Sequence, residues 1–176
     1  MSKLKTYLCG AIECLEDSGE SWRDKIAPKL EALGIVVQNP CKSECNKEYG
    51  TSIKENREQI KKFKKAGDMD SFDDHMDNVI ITDIRAVINS DFILVYYNND
   101  YKHGGTIDEI VHAVLFQIPI YCVNYGSKVD MNDWVHRRIR QVGIVFDNFG
   151  QALDYIKLHY KKEIKDTLSE QEKIKV

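Results

Sequence analysis

The chain has 176 residues, 43% hydrophobic and 30% charged, with a formal net charge of −3 at pH 7. That length can bury a core and argues for one domain, while the charge excludes a protein that grips a nucleic-acid backbone through a basic surface. No apolar run approaches the ~20 residues that span a bilayer, and MSKLKTYLCG lacks the apolar core of a secretory signal. Five cysteines, an odd number with Cys9 and Cys122 inside apparent strands, fit a reducing cytoplasm.

Lys5 to Cys9 (KTYLC) reads as a short strand that stops at Gly10, and the GAIE turn forms the first loop beyond it. A helix is expected from about Ser21 to Leu33, with Trp22, Ile26, Leu30 and Leu33 on one face. Ser21 can cap it, Pro28 should kink it or mark a later start, and Gly34 closes it. Ile35 to Gln38 is the second strand. Residues 41–78 are the least regular stretch. Lys54 to Lys65 is a charged helix candidate that the acidic run DMDSFDDHMD is expected to break. Such an excursion is either a solvated face or a lid over a site. Cys41, Cys45 and His75 lack a second matching pair, so no metal is expected.

Asn78 to Asn89 is an apolar helix, with Asp83 beside its Val79, Ile80 and Val87 stripe. A carboxylate placed there needs a partner. Asp91 opens the next strand and reads as structural. Phe92 to Tyr97 is an apolar run of strand length, Asn98 to Gly105 a polar loop, and Ile107, Ile110, Val111, Val114 and Leu115 recur at helical spacing. Ile118 to Val123 is then another strand. This is a βαβ unit, which implies a parallel sheet. Its loop opens at the carboxyl end of the sheet, where open α/β folds bind ligands.

Asp130 to Gln141 is a basic helix with Trp134, Gly143 to Phe146 a last strand, and Phe149 to Tyr160 a closing helix. The charged tail, 161–176, is expected to fray or to dock on a neighbour. Five strands in this arrangement predict a single α/β domain. Its core is a Rossmann/flavodoxin-like, doubly wound, five-stranded parallel sheet of order 2-1-3-4-5. A lid-like excursion at 41–78 and the tail are its appendages.

Glu109 has two readings. It can complete a capping box with Thr106 at the helix start, or it can be a carboxylate aimed into the crevice. The sequence carries no G-x-G-x-x-G after the first strand and no P-loop lysine.

Three segments stand in order: TYLCGAIE with SWRDKIAPKLEALGIVVQNP behind it, DIRAVINSD between Asp83 and Asp91, and GGTIDEIVHA before a strand. Together they resemble the nucleoside 2-deoxyribosyltransferase family, which includes deoxynucleoside monophosphate N-glycosidases. The resemblance covers about residues 5 to 125, without 41–78. It implies that Glu109 is the nucleophile and that Asp83 lies near the substrate base. It also implies that Gly10, Ala11 and Ile12 hold sugar or phosphate, with Tyr7, Asn98, His103, Gly105 and Thr106 completing the substrate-binding set. No cofactor and no metal are implied. Two positions depart from the family: Tyr7 is displaced by one from a tyrosine of some members, and His103 stands where an aspartate or serine is common. The first loop is acidic (Glu13, Glu16, Asp17), which disfavours a phosphate, while a protonated His103 would favour one.

The residues suit the chemistry. A carboxylate near C1′ can stabilise or trap an oxocarbenium-like state, and Asp83 can protonate the departing base. Water as acceptor makes a hydrolase, and a second base makes a transferase. The expected partner is a small nucleoside or nucleotide, with no nucleic acid polymer and no membrane. A homodimer or homotetramer is expected too, because Met131, Trp134, Leu153, Ile156 and Tyr160 sit on outer helices and apolar patches mark interfaces. The rival reading is a Rossmann-like module that binds a nucleotide without cleaving it.

Overall fold

The computed structural model describes residues 3–42 and 52–174, with side chains up to 170. The strands are β1 (Lys5–Gly10), β2 (Val36–Gln38), β3 (Phe92–Asn98), β4 (Ile120–Tyr125) and β5 (Gly143–Phe146). The helices are α1 (Glu20–Glu31), α2 (Ile53–Ala66), α3 (Met69–Ile88), α4 (Gly104–Leu115), α5 (Asp133–Val142), α6 (Phe149–His159) and α7 (Lys161–Ile174), with 3-10 turns at Pro40–Lys42 and Lys128–Asp130. All strand pairs are parallel, in the order β2-β1-β3-β4-β5. This is the doubly wound sheet read from the sequence.

Strand alternation sorts the core into two halves. Leu8, Leu94 and Tyr121 stand side by side in the register and pack with Trp22, Leu30, Leu153 and Ile156 of α1 and α6. Cys9, Val95 and Cys122 are one step along and pack with Val87, Ile110, Val135 and Ile139 of α3, α4 and α5. Asp91 accepts the Lys5 amide at 2.7 Å and so ties the start of β1 to β3, the structural role expected of it.

Several expectations are corrected. The acidic run does not break a helix. It forms the first half of α3, which runs unbroken for 20 residues. The break falls earlier, where Gly67 turns left-handed (φ 70°) and Asp68 caps Ser71. Glycine adopts that backbone without strain, and acidic side chains near a helix start are favoured by its dipole. At α1 the capping side chain is Asp17, which accepts from the Gly19 and Ser21 amides, so Ser21 is not the cap. Pro28 sits inside α1, and the bond from the Ala32 amide to the Pro28 carbonyl carries the turn past it.

The tail is helical to Ile174 and docks through Ile164 and Thr167, the latter against Gly34. Met131, Leu153 and Ile156 are buried, and Tyr160 stacks on Phe92. They belong to the core: α6 turns Leu153 and Ile156 inward, while Met131, in the turn before α5, and Tyr160, just past α6, pack against it. Trp134, 78% exposed, and Val129 remain outside. No described helix is long and apolar enough to cross a membrane.

Candidate active site

The site forms at the carboxyl end of β1 and β3, under the start of α4. Alternation along β1 points Tyr7 and Cys9 to the α3–α4 side. There the Tyr7 hydroxyl donates to Glu109 Oε1 at 2.7 Å. Glu109 is only 9% exposed, and its Oε2 has no hydrogen-bond partner. Helix α4 begins at Gly104, with the Ile107 amide bonded to the His103 carbonyl, so Thr106 is inside the helix and Glu109 is in its second turn. The capping-box reading is therefore replaced: α4 has no side-chain cap, and the Glu109 carboxylate is held by Tyr7. Thr106 is buried, and its carbonyl lies 3.8 Å from the Cys9 thiol.

Burial pushes the Glu109 carboxyl up to about 7, and the Asp83 charge adds to the rise, while the nearby Cys9 thiol, the Tyr7 hydrogen bond and the Arg23 charge oppose it. Asp83, on α3, is pushed up to about 6 by burial, opposed by Tyr7 and Arg23. The two carboxylates thus act on one another, with the Tyr7 hydroxyl beside both. Tyr7 itself is held well above the usual phenol range, chiefly by burial, and so stays a donor. A cavity of about 450 Å³ reaches Tyr7 and Asp83 from the β2 side, walled by Gln38, Asn39, Pro40 and Thr82.

The remaining expected residues divide. His103 is buried, stacks on Tyr97 at 4.4 Å between ring centroids, and brings Nε2 to 2.6 Å from the Asn98 carbonyl. Burial lowers its pKa, so the ring is neutral at pH 7 and brings no positive charge for a phosphate. Asn98 turns the loop by accepting the Asp100 amide. Gly105, in the first turn of α4, is exposed, and a side chain there would meet nothing outside its own helix, which leaves that side of the helix start open. Gly10 does the opposite: a Cβ there would press on Trp22 and the Tyr96 carbonyl at 3.0 Å. Ala11 is buried and Ile12 half-buried, both in the loop that follows. Asp17, one of the three acids in that loop, is spent on capping α1. Cys41 is buried with its thiol 3.5 Å from the Ser18 carbonyl, and Cys45 lies outside the described residues.

Two residues were missed from the sequence. Arg23 is fully buried below Gly10. Arg57 of α2 reaches the first loop, donating to the Leu15 carbonyl at 3.1 Å, the Ser18 hydroxyl at 2.8 Å and the Glu13 carbonyl. Arg23 had a signal: it falls on the same helical stripe as Ile26 and Leu30, where a cation needs a reason. Arg57 had none, because it lies in a run of charges.

Solved structures share this architecture. A 2-deoxyribosyltransferase from the psychrotolerant bacterium Bacillus psychrosaccharolyticus is similar at a TM-score of 0.60 and 14% identity, over 86% of this chain and 92% of that one. A conserved protein from Enterococcus faecalis V583 gives 0.62 at 14% identity, over 90% and 99%. A CMP N-glycosidase of Clostridium botulinum gives 0.50 at 14% identity, over 88% and 98%. No protein-family model and no curated protein matches the sequence. At such identity the likeness is one of fold, and the fold is one that a 2-deoxyribosyltransferase and a CMP N-glycosidase also have.

Proposed function

We propose that the protein breaks the N-glycosidic bond of a 2-deoxynucleoside or its 5′-monophosphate and passes the deoxyribosyl group to another base or to water. The observation that carries this reading is Glu109: a buried carboxylate with one oxygen held by Tyr7 and the other without a partner. The free Oε2 attacks C1′, and the C–N bonding pair leaves with the base. Asp83 gives the base a proton, and the reacting form is the one in which Glu109 is ionised and the pair's proton sits on Asp83. A second base or a water, deprotonated by Asp83, then attacks C1′ and frees Glu109. Tyr7 and Asp83 line the cavity on the β2 side, and Glu109 lies behind them, outside its lining.

The neutral His103 and the acidic first loop favour the nucleoside over the monophosphate. Self-association as a dimer or tetramer belongs to the same reading. Its support is the exposed Trp134 and Val129, and light scattering with an activity series across protein concentration decides it.

The test is to incubate the protein with each deoxynucleoside and each 5′-monophosphate, with and without an acceptor base, and to follow free base and new nucleoside by chromatography. Base release from at least one substrate is expected. Binding of these compounds without any release would leave a nucleotide-binding module instead.

A further inference from the structure

Arg23 is a cation with 0% exposure that the chemistry above does not use. It projects from α1 to the carboxyl end of β1. Its Nε donates to the Leu8 carbonyl at 3.2 Å, its Nη2 to the Gly10 carbonyl at 2.8 Å, and its Nη1 to the Gly19 carbonyl at 3.0 Å. No described carboxylate pairs with it directly. A guanidinium taken out of water costs several kcal/mol unless its charge is balanced, and carbonyl dipoles balance only part of it. Leu8 and Gly10 flank Cys9, whose side chain, like that of Tyr7, faces Glu109. The bonds to the Leu8 and Gly10 carbonyls therefore fix the strand end that carries the Glu109 partners, and the bond to Gly19 ties the guanidinium to the start of its own helix.

We infer that Arg23 is a positioning residue for the carboxylate pair: its fork locks the end of β1 behind Tyr7 and Cys9, and its charge is the resident counter-charge of Glu109 and Asp83. This rests on the reading of that pair as the reacting groups. The groups facing Glu109 are Tyr7 and Cys9 from β1, Asp83 from α3 and Arg23 from α1. Both Tyr7 and Cys9 are held protonated by burial, and so is Cys41, which sees Arg23 from the turn after β2 at about 11. His103, at the cap of α4, is neutral. Arg23 touches neither carboxylate, and its charge, held behind β1 by the Leu8 and Gly10 carbonyls, favours their ionised forms from a distance.

Two variants separate its charge from its fork. Arg23→Gln removes the charge, and Arg23→Lys keeps it while losing the three-way bridge. The Glu109 carboxyl is titrated by 13C NMR, assigned with Glu109→Gln, beside the pH profile of kcat/KM for base release. Removing a positive charge makes a carboxylate harder to ionise. Arg23→Gln should therefore raise the Glu109 midpoint, and the acid limb of the profile with it, by about one pH unit, a tenfold change in ionisation. Arg23→Lys should keep the midpoint and lower kcat. Equal midpoints in wild type and Arg23→Gln overturn the inference.

Should either variant fail to fold, the wild-type protein still decides. The Arg23 Nε resonance must titrate with the Glu109 midpoint and go flat in Glu109→Gln/Asp83→Asn; a flat wild-type signal also overturns it. The NMR readings need no turnover. A shifted midpoint in a protein that releases no base sinks the proposed function alone, and base release with an unmoved midpoint sinks the role of Arg23 alone.

Discussion

The face of the sheet under α1 and α6 and the face under α3, α4 and α5 are made by alternate residues of the same strands. Under α1 and α6 the side chains are large and largely aromatic: Trp22 meets Tyr96 and Phe149, and Phe92 meets Tyr121 and Tyr160, at centroid distances of 5.2–5.7 Å. A polar handle there is absorbed locally, as where the Tyr121 hydroxyl donates to that of Tyr160 at 3.2 Å. Under α3 and α4 the core is built of smaller side chains and encloses two carboxylates whose pKa values burial has raised. One face maximises contact. The other keeps acids out of water with an incomplete set of partners, an arrangement that lowers stability and that proteins keep where it does chemistry.

The largest effect that separates the faces is on turnover. Glu109→Gln should lower base release by roughly three orders of magnitude or more, the scale for losing a nucleophile that acts within a unit, with the circular dichroism spectrum unchanged. Activity within tenfold of wild type would return Glu109 to a structural role. Asp83→Asn comes next, at about a hundredfold, the usual range for a lost general acid. The loss should shrink for a nucleoside with a better leaving base, since such a base needs less protonation. A uniform loss across leaving groups would make Asp83 a packing residue only.

The same carboxylate should make this face pH-sensitive in stability. The Glu109 pKa is about 7 in the folded chain against the ordinary 4.5, so between those values the native state binds the proton that the unfolded state has released. Stability therefore falls as pH rises through this window: the penalty is absent below about 4.5 and complete above about 7. Glu109→Gln removes it. Thermal denaturation should show the variant gaining roughly 2–3 kcal/mol over wild type at pH 8 and little at pH 5. A gain of equal size at both pH values would mean that the effect is packing and not ionisation.

The sequence was more transparent for the fold than for the site. Apolar runs and helical periods gave all five strands and their order, because burial on both faces of a parallel sheet writes itself into short segments. Glu109 and Asp83 were reached through motif order, yet what holds Glu109 was not. Tyr7 lies 102 positions away, and only the register of β1 beside β3 brings it to the carboxylate. The capping box at Thr106 was a local alternative of the kind that sequence favours, and the earlier start of α4 at Gly104 removed it. The acidic half of α3 is hard to read from sequence because its charges hide the helical period, while Gly67 and Asp68 supply the break just before it. The outer-helix residues were misplaced for want of tertiary information: Leu153 and Ile156 look like surplus until α6 is seen to press them into the aromatic face.

That aromatic face gives the smallest and most discriminating test. Tyr160→Phe deletes the acceptor of the Tyr121 hydroxyl and keeps the ring that stacks on Phe92. Tyr121, left behind, is only 2% exposed, so little water can replace the lost bond. The cost should be about 1–2 kcal/mol in urea or thermal denaturation, as for a buried donor left without its acceptor. Because no strand side chain on that face contacts Glu109 or Asp83, base release per folded molecule and its pH profile should stay at wild-type values. A change in the profile without a change in stability would show that the two faces are coupled through β3 and β4, and the division of the sheet into a packing face and a reacting face would fail.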